Sequence, residues 1–191
     1  RWIDGVLEKN ELIDQDSNLR GLIFWGHAPN SQSRGAEMKK AMDKLDLLVV
    51  IDPYPSATAA MAAMPGRPED LNANRAVYLL PAATQLETSG SVTASNRSLQ
   101  WREKVIDPLF ESRTDQMIAY QLAEKLGFGK ELVKSNKLVA AHGGMMEPEP
   151  EALLREVNRS NWTIGYTGQS PERLKAHMRN MHVFDVKTLR A

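Results

Sequence analysis

The chain has 191 residues, 42% of them hydrophobic and 25% charged. That is enough apolar chain for one globular domain with a buried core, and it excludes a disordered tail or a peptide. Lys plus Arg and Asp plus Glu both number 24 and the formal net charge is +0, so no overall basic field would draw nucleic acid or an anionic membrane. With 0 cysteines the chain can form no disulfide, use no cysteine nucleophile and offer no thiolate to zinc or to an iron–sulfur cluster. No apolar run approaches the roughly 18 to 20 residues needed to cross a bilayer, and residues 1–18 hold no continuous apolar signal region, so no direct membrane insertion is expected. The chain opens at Arg1 and stops at Ala191 in mid-pattern, which predicts a piece of a longer polypeptide.

In residues 1–18, Ile3, Val6, Leu7, Leu12 and Ile13 make a weak helical pattern, read as a helix or arm leading into the core. Two short apolar runs follow, Leu22-Ile23-Phe24-Trp25 closed by Gly26 and Leu47-Leu48-Val49-Val50-Ile51 closed by Asp52-Pro53. Continuous runs of this length suit strands buried on both faces of a parallel sheet. Between them Met38, Ala41, Met42 and Leu45 fall at helical spacing, with Lys39, Lys40, Asp43 and Lys44 on the other face. Ser56 to Met64 fits a second helix stopped by Pro65-Gly66, and Ala76-Val77-Tyr78-Leu79-Leu80 fits a third buried strand halted by Pro81. The order βαβαβ predicts a Rossmann-like open parallel sheet of class α/β.

Ala82 to Trp101 is rich in Ser and Thr without a period and reads as irregular structure with short extended pieces. A helix is predicted over Ile118, Leu122 and Leu126, capped by Thr114 or Ser112 and stopped by Gly127. AAHGGMMEPEPE reads as a solvated linker, followed by a short helix over Ala152–Val157, a turn-rich stretch from Trp162 to Gly168, and a helix opened by Ser170-Pro171-Glu172 with Leu174, Met178 and Met181 on one face. The expected divisions are an arm at 1–18, an α/β domain at 19–140, and a linker with packing helices at 141–191.

Standard phosphate fingerprints fail. After the first strand the sequence is Gly26-His27-Ala28-Pro29-Asn30 rather than G-x-G-x-x-G, and Gly127-Phe128-Gly129-Lys130 lacks the spacing of a P-loop. His177 and His182 are five apart, on different helix faces, and with His142 they read as surface or packing residues; Glu147, Glu149 and Glu151 alternate with prolines and read as solvated acids. Two loops do better, because open α/β sheets bind ligands at the carboxyl ends of their strands. Gly26 to Gln32 offers a glycine for close backbone approach and Asn30, Ser31 and Gln32 as polar groups at a helix start, which favours a phosphate. Asp52, just past a buried strand, is a carboxylate suited to a guanine N–H pair or a ribose diol, or to capping the Ser56 helix or the turn at Pro53; the residues alone leave both readings open.

The run GLIFWGHAPNSQSRGAEMKKAMDKLDLLVVIDPYPSATAAM, with VYLLPAATQLETSGSVTASNRSLQWR and TGQSPERLKAHMRNMHVFDVKTLRA, closely resembles the large catalytic subunit of bacterial membrane-associated, selenocysteine-type formate dehydrogenases, in the molybdopterin oxidoreductase superfamily. The resemblance implies an internal segment holding the α/β domain that binds the guanosine part of a molybdopterin guanine dinucleotide, with molybdenum or tungsten. It aligns Gly26-His27-Ala28-Pro29 with the family's G-x-N-P loop, Ala28 replacing the usual asparagine and Asn30 standing two residues on. It places Asp52 at the family's acid, Pro53 beside it, and Ser56 and Thr58 at the hydroxyl positions that follow. Leu80-Pro81, Glu87, Gly90, Asn96 and Arg97 match a pattern expected to shape a cofactor-side wall, with Glu87 and Arg97 either a buried polar pair or direct ligands.

The same resemblance implies that the iron–sulfur cluster and the metal-holding selenocysteine lie in other parts of the full subunit, and that no catalytic residue or metal ligand lies here. The segment alone is then expected to be inactive. The implied partners are other domains of the subunit and the iron–sulfur and membrane cytochrome subunits of a formate dehydrogenase complex facing the periplasm. The alternative reading is a non-catalytic α/β scaffold or subunit-interaction module with an empty nucleotide crevice.

Overall fold

The computed structural model describes residues 2–7, 17–27, 33–55, 76–96, 98–160 and 169–179. Contacts divide the chain into two compact units, Arg1–Ala82 and Ala83–Ala191, where the sequence reading drew its lines at 18 and 140.

The first unit runs α1 (Trp2–Leu7), β1 (Gly21–Trp25), α2 (Gly35–Lys44), β2 (Leu47–Asp52) and β3 (Ala76–Pro81). The three strands are parallel in the order β1-β2-β3, with Phe24 opposite Val50 and Val50 opposite Leu79. This is the α/β class expected, and the two apolar runs joined by the Met38–Leu45 helix do lie side by side in one sheet. The second helix expected over Ser56–Met64 lies outside the described residues.

The core of this unit is Ile3 and Val6 of α1, Met38, Ala41, Met42 and Leu45 of the α2 segment, and Phe24, Leu48 and Val50 from the sheet, with Leu22 and Val77 packed against it. Residues paired in a parallel sheet project to the same face and alternate along each strand. The packed face is therefore that of Leu22, Phe24, Leu48, Val50 and Val77, and the Trp2 ring meets Phe24 edge-on at 5.6 Å. Arg34 closes the α1–α2 pair, its guanidinium bridging Asp4 at 2.7 Å and Glu37.

Two expectations need correction here. The strands were read as buried on both faces, yet Ile23 is 51% and Tyr78 54% exposed, and Trp25 and Leu80 are exposed with them. Both described helices pack on the same side of the sheet, and the opposite face is largely exposed, with Ile51 of the central strand buried on it. Asp43, assigned to the polar face of α2, is buried, with Lys39 3.7 Å away. A stripe wide enough to cover a sheet takes in position 43 next to 42, and the i,i+4 lysine accompanies the charge.

The second unit opens with a hairpin, β4 (Gly90–Thr93) antiparallel to β5 (Leu99–Arg102), where short extended pieces within an irregular stretch are expected. Next come α3 (Asp115–Lys125), the short α4 (Gly129–Leu132), and a second hairpin of β6 (Leu138–Ala140) with β7 (Met146–Pro148). That second hairpin replaces the expected linker: the tandem Gly143 and Gly144 both adopt positive φ, 70° and 73°, and make the chain reversal that pairs the strands. The helices α5 (Pro150–Ser160) and α6 (Pro171–Arg179) follow.

Helix α3 begins and ends where predicted, with Thr114 Oγ1 accepting the Met117 N–H at 3.2 Å. Its buried face is not the Ile118, Leu122 and Leu126 stripe that marks it in the sequence. Met117, Tyr120 and Ala123 are buried, whereas Leu122 and Leu126 are exposed. Two interleaved stripes at spacing three or four run along this helix, and packing rather than hydrophobicity selects between them. Trp101, Leu154 and Leu174 form the core under β5, α5 and α6, with Leu99 against it. Lys175 lies 5.0 Å above the Trp101 ring and pairs with Glu151 at 2.5 Å, joining α6 to α5.

Candidate functional site

In a parallel sheet all strands end on the same edge, so the loops after β1, β2 and β3 are neighbours. At the first, Gly26 has φ +58°, and among the described residues nothing lies within 4 Å of where a Cβ would stand. The glycine is therefore favoured by backbone conformation rather than by crowding from the described residues. Its N–H donates to the Ile51 carbonyl at 3.1 Å, extending the β1–β2 ladder by one bond. His27 follows, its ring 6.4 Å from that of Phe24 at an interplanar angle of 30°. On the other side, the Ala82 N–H donates to the Asp52 carbonyl at 3.2 Å, so β2 is pinned to both neighbours at its last residues.

Asp52 is partly buried at the end of β2, and its Oδ1 accepts the Tyr54 N–H at 2.9 Å. This is an Asx turn, the local bonding that lets aspartate reverse a chain. Around it is a cavity of about 190 Å³ lined by Asp52, Pro53, Tyr54 and Pro55 from the β2 end and by Leu79, Leu80 and Pro81 from β3. Its walls are almost wholly apolar, with one carboxylate among them. A flat heteroaromatic group with hydrogen-bond donors on one edge fits such a slot in chemistry, since its faces bury apolar area and its donors meet the one acid. The Asp52-Pro53-Tyr54-Pro55 run carried the missed signal: an aromatic between two prolines at a strand end has little freedom to fold away from the loop mouth.

The structure brings Gly26, His27, Asp52 and Pro53 to one edge of the first unit. Ala28, Pro29, Asn30, Ser31, Gln32, Ser56 and Thr58 lie outside the described residues, as does Arg97. Glu87, Gly90 and Asn96 are all in the second unit and do not share one pocket. Glu87, 3% exposed, accepts the Thr84 N–H at 2.6 Å and the Leu109 N–H at 2.8 Å. The Thr84 bond, with the Leu109 bond behind it, holds its carboxyl below the usual glutamate range against the opposing effect of burial.

Glu87 also borders a cavity of about 180 Å³ that includes Lys104, His142 and Glu147. Glu147 accepts the Thr114 hydroxyl, so it is part of the α3 cap rather than a solvated acid. Gly90, at φ +148°, opens β4 beside a different cavity of about 270 Å³, and Asn96 Oδ1 accepts both the Ser98 N–H and its hydroxyl in the hairpin turn. Among the described residues no cluster of three or more His, Asp or Glu is placed to hold a metal, and no helix is long and apolar enough to cross a membrane.

An open parallel sheet with a left-handed glycine after its first strand and one acid in the apolar slot after its second has the architecture of α/β domains, in which the carboxyl edge of the sheet is the usual place for a ligand. Residues 5–125, more than half the chain, match the molybdopterin oxidoreductase family, and the chain belongs to that family. It is 35% identical over 151 residues to formate dehydrogenase 2 subunit alpha (cytochrome c-553) of Nitratidesulfovibrio vulgaris, covering 78% of this chain and 14% of the relative. It is 33% identical to the F420-dependent formate dehydrogenase subunit alpha of Methanocaldococcus jannaschii, covering 62% of this chain and 16% of the relative. Trimethylamine-N-oxide reductase of Vibrio cholerae is 31% identical, over 70% of this chain and 16% of the relative.

The chain thus spans 14 to 16% of the length of these relatives. Acetylene hydratase from Pelobacter acetylenicus shares the fold with a TM-score of 0.54 over 92% of this chain and 19% of that one, at 16% identity. Membership of this family implies a molybdopterin cofactor for the protein to which the chain belongs.

Proposed function

We propose that this chain is the segment of a formate dehydrogenase catalytic subunit that anchors the guanosine and pyrophosphate part of a molybdopterin guanine dinucleotide. The observation that carries the reading is Asp52 at the mouth of an otherwise apolar slot, one strand away from the left-handed Gly26, in a chain of the molybdopterin oxidoreductase family. In this reading the Asp52 carboxylate accepts the guanine N1–H and amino hydrogens. Tyr54, Leu79 and Leu80 keep water from beside that pair, which strengthens it. In the same reading the loop from Gly26 to Gln32 is the pyrophosphate contact, with Ser56 and Thr58 as further hydroxyl donors.

The dinucleotide, when bound, supplies two-electron redox chemistry at molybdenum or tungsten, and the share of this segment is to fix its far end. The whole subunit would oxidise formate to carbon dioxide, with the catalytic histidine, the selenocysteine or cysteine and the iron–sulfur cluster in its other parts. Electrons would leave to iron–sulfur and membrane cytochrome subunits on the periplasmic side. Formate dehydrogenase alpha subunits among the relatives support formate as the substrate, and trimethylamine-N-oxide reductases match at similar identity.

The Asx turn at Asp52 favours a second reading, a scaffold domain whose acid only shapes the loop. Asp52→Asn separates the two in the whole subunit, because asparagine keeps the oxygen that accepts the Tyr54 N–H and loses the charge that guanine requires. Nucleotide retained after gel filtration is released with acid and measured as guanosine monophosphate. Loss of a charge-assisted pair weakens affinity by about ten- to a hundredfold, so retention should fall in both Asp52→Asn and Asp52→Ala. Full retention in both would leave Asp52 as a turn residue.

A further inference from the structure

The loop between β5 and α3 exposes Val105, Ile106, Leu109 and Phe110, and Leu86 from the preceding turn is exposed beside them. Single exposed apolar side chains are ordinary, whereas a contiguous group of them marks a contact surface. These residues are brought together by the backbone. The Leu86 carbonyl accepts the N–H groups of Val105 at 2.8 Å and Ile106 at 3.2 Å, and buried Glu87 takes the Leu109 N–H.

The loop is also fixed in shape. The Ser112 hydroxyl donates to the Leu109 carbonyl at 2.6 Å, and the Lys104 N–H donates to Ser89 Oγ at 2.8 Å. At its tip Phe110 adopts φ +54° and is 95% exposed. A left-handed backbone is unfavourable for a residue with a Cβ, and here it projects the largest apolar side chain of the loop into solvent.

Two observations point to what covers the surface. Lys104 pairs with Asp107 at 2.6 Å within the loop, so this cation is answered locally and the face left is mainly apolar, with Glu111 at its rim. Apolar, pre-shaped surfaces suit permanent contacts, and unbalanced charge suits transient ones. The family match runs through residue 125 and so includes the loop, while the curated relatives are several times longer than this chain.

We propose that Leu86, Val105, Ile106, Leu109 and Phe110 form the seat of a permanent contact with an apolar surface of the same polypeptide outside these 191 residues. The proposal rests on the chain being a segment of a longer subunit, and it is independent of the role of Asp52.

The test uses the full-length polypeptide as purified, with its mass read first on a denaturing gel; a native polypeptide of only this length would remove the segment reading itself. In the longer polypeptide, Phe110 is replaced by the photoreactive p-benzoylphenylalanine, irradiated, and the cross-linked peptides are sequenced. The expected product joins position 110 to a peptide of the same polypeptide beyond these residues. A cross-link to another subunit, to a peptide within these 191 residues, or no cross-link overturns the proposal. As a second reading, Phe110→Asp should speed proteolysis of the full-length subunit by at least about tenfold, as loss of a central contact residue does, and Phe110→Leu should largely restore resistance. Unchanged proteolysis in Phe110→Asp also overturns it.

Discussion

Buried Glu87 shows how one side chain can organise two loops. Both of its oxygens accept backbone N–H groups, from Thr84 and Leu109, and these hold its carboxyl below the ordinary glutamate range. A carboxyl with a depressed folded value contributes stability that is present above the unfolded value of about 4.3 and lost as pH falls through the folded value. The thermal midpoint should therefore drop as pH is lowered from 5 toward 3, and Glu87→Gln should flatten that dependence. At neutral pH the same variant should cost about 2 to 4 kcal/mol, since an amide satisfies only part of the pair. Gly26 gives a contrasting case. With no atom of the described residues within 4 Å of its missing Cβ, Gly26→Ala should meet the left-handed backbone cost of about 1 to 2 kcal/mol. Denaturant titration should show that loss, and Gly26→Asn should show less of it.

At the scale of elements, capping and core packing dominate. Thr114 both accepts the Met117 N–H and donates its hydroxyl to Glu147, joining the start of α3 to β7. Thr114→Ala should cost about 1 to 2 kcal/mol in equilibrium unfolding, with Thr114→Ser close to wild type because both bonds are kept. In the first unit Met42 is fully buried between α2 and the sheet. Met42→Ala should cost about 2 to 5 kcal/mol through lost burial and the cavity left behind. The strands β1, β2 and β3 and the helices α2 and α3 were legible in the sequence because short apolar runs with turn residues at their ends, and Thr114 with Gly127 around a helical period, are local signals. The β6–β7 hairpin was not, because Leu138–Ala140 and Met146–Pro148 are too short to show a period, and their pairing depends on the two left-handed glycines between them.

For the whole molecule, the family places a molybdopterin cofactor with the parent protein, and this chain supplies neither cysteine nor, among the described residues, a group of acids and histidines able to hold a metal. Purified by itself it should show no formate-dependent dye reduction and no stoichiometric molybdenum, tungsten or iron. Elemental analysis finding any of these at one per chain would overturn the assignment of the redox centres to other parts of the subunit. The largely exposed face of the sheet, with Ile23, Trp25, Tyr78 and Leu80 around the buried Ile51, fits the same picture: strands with the composition of doubly covered ones have one face packed by helices among the described residues.

The sequence by itself determined the α/β class, an open parallel sheet holding β1 and β2 together, and the position of Gly26 and Asp52 at strand ends, because these follow from short apolar runs, the residues that stop them and the helical period between them. It also carried enough identity to place the chain in its family. Only the tertiary structure decided that Asp52 sits in an Asx turn beside Tyr54 and Leu79, that Glu87 and Gly90 border separate cavities, and that Met117 and Tyr120 rather than Leu122 face the interior of α3. Each of these depends on which segment lies across from a residue, and contacts between residues distant in sequence leave no local pattern in the residues that make them.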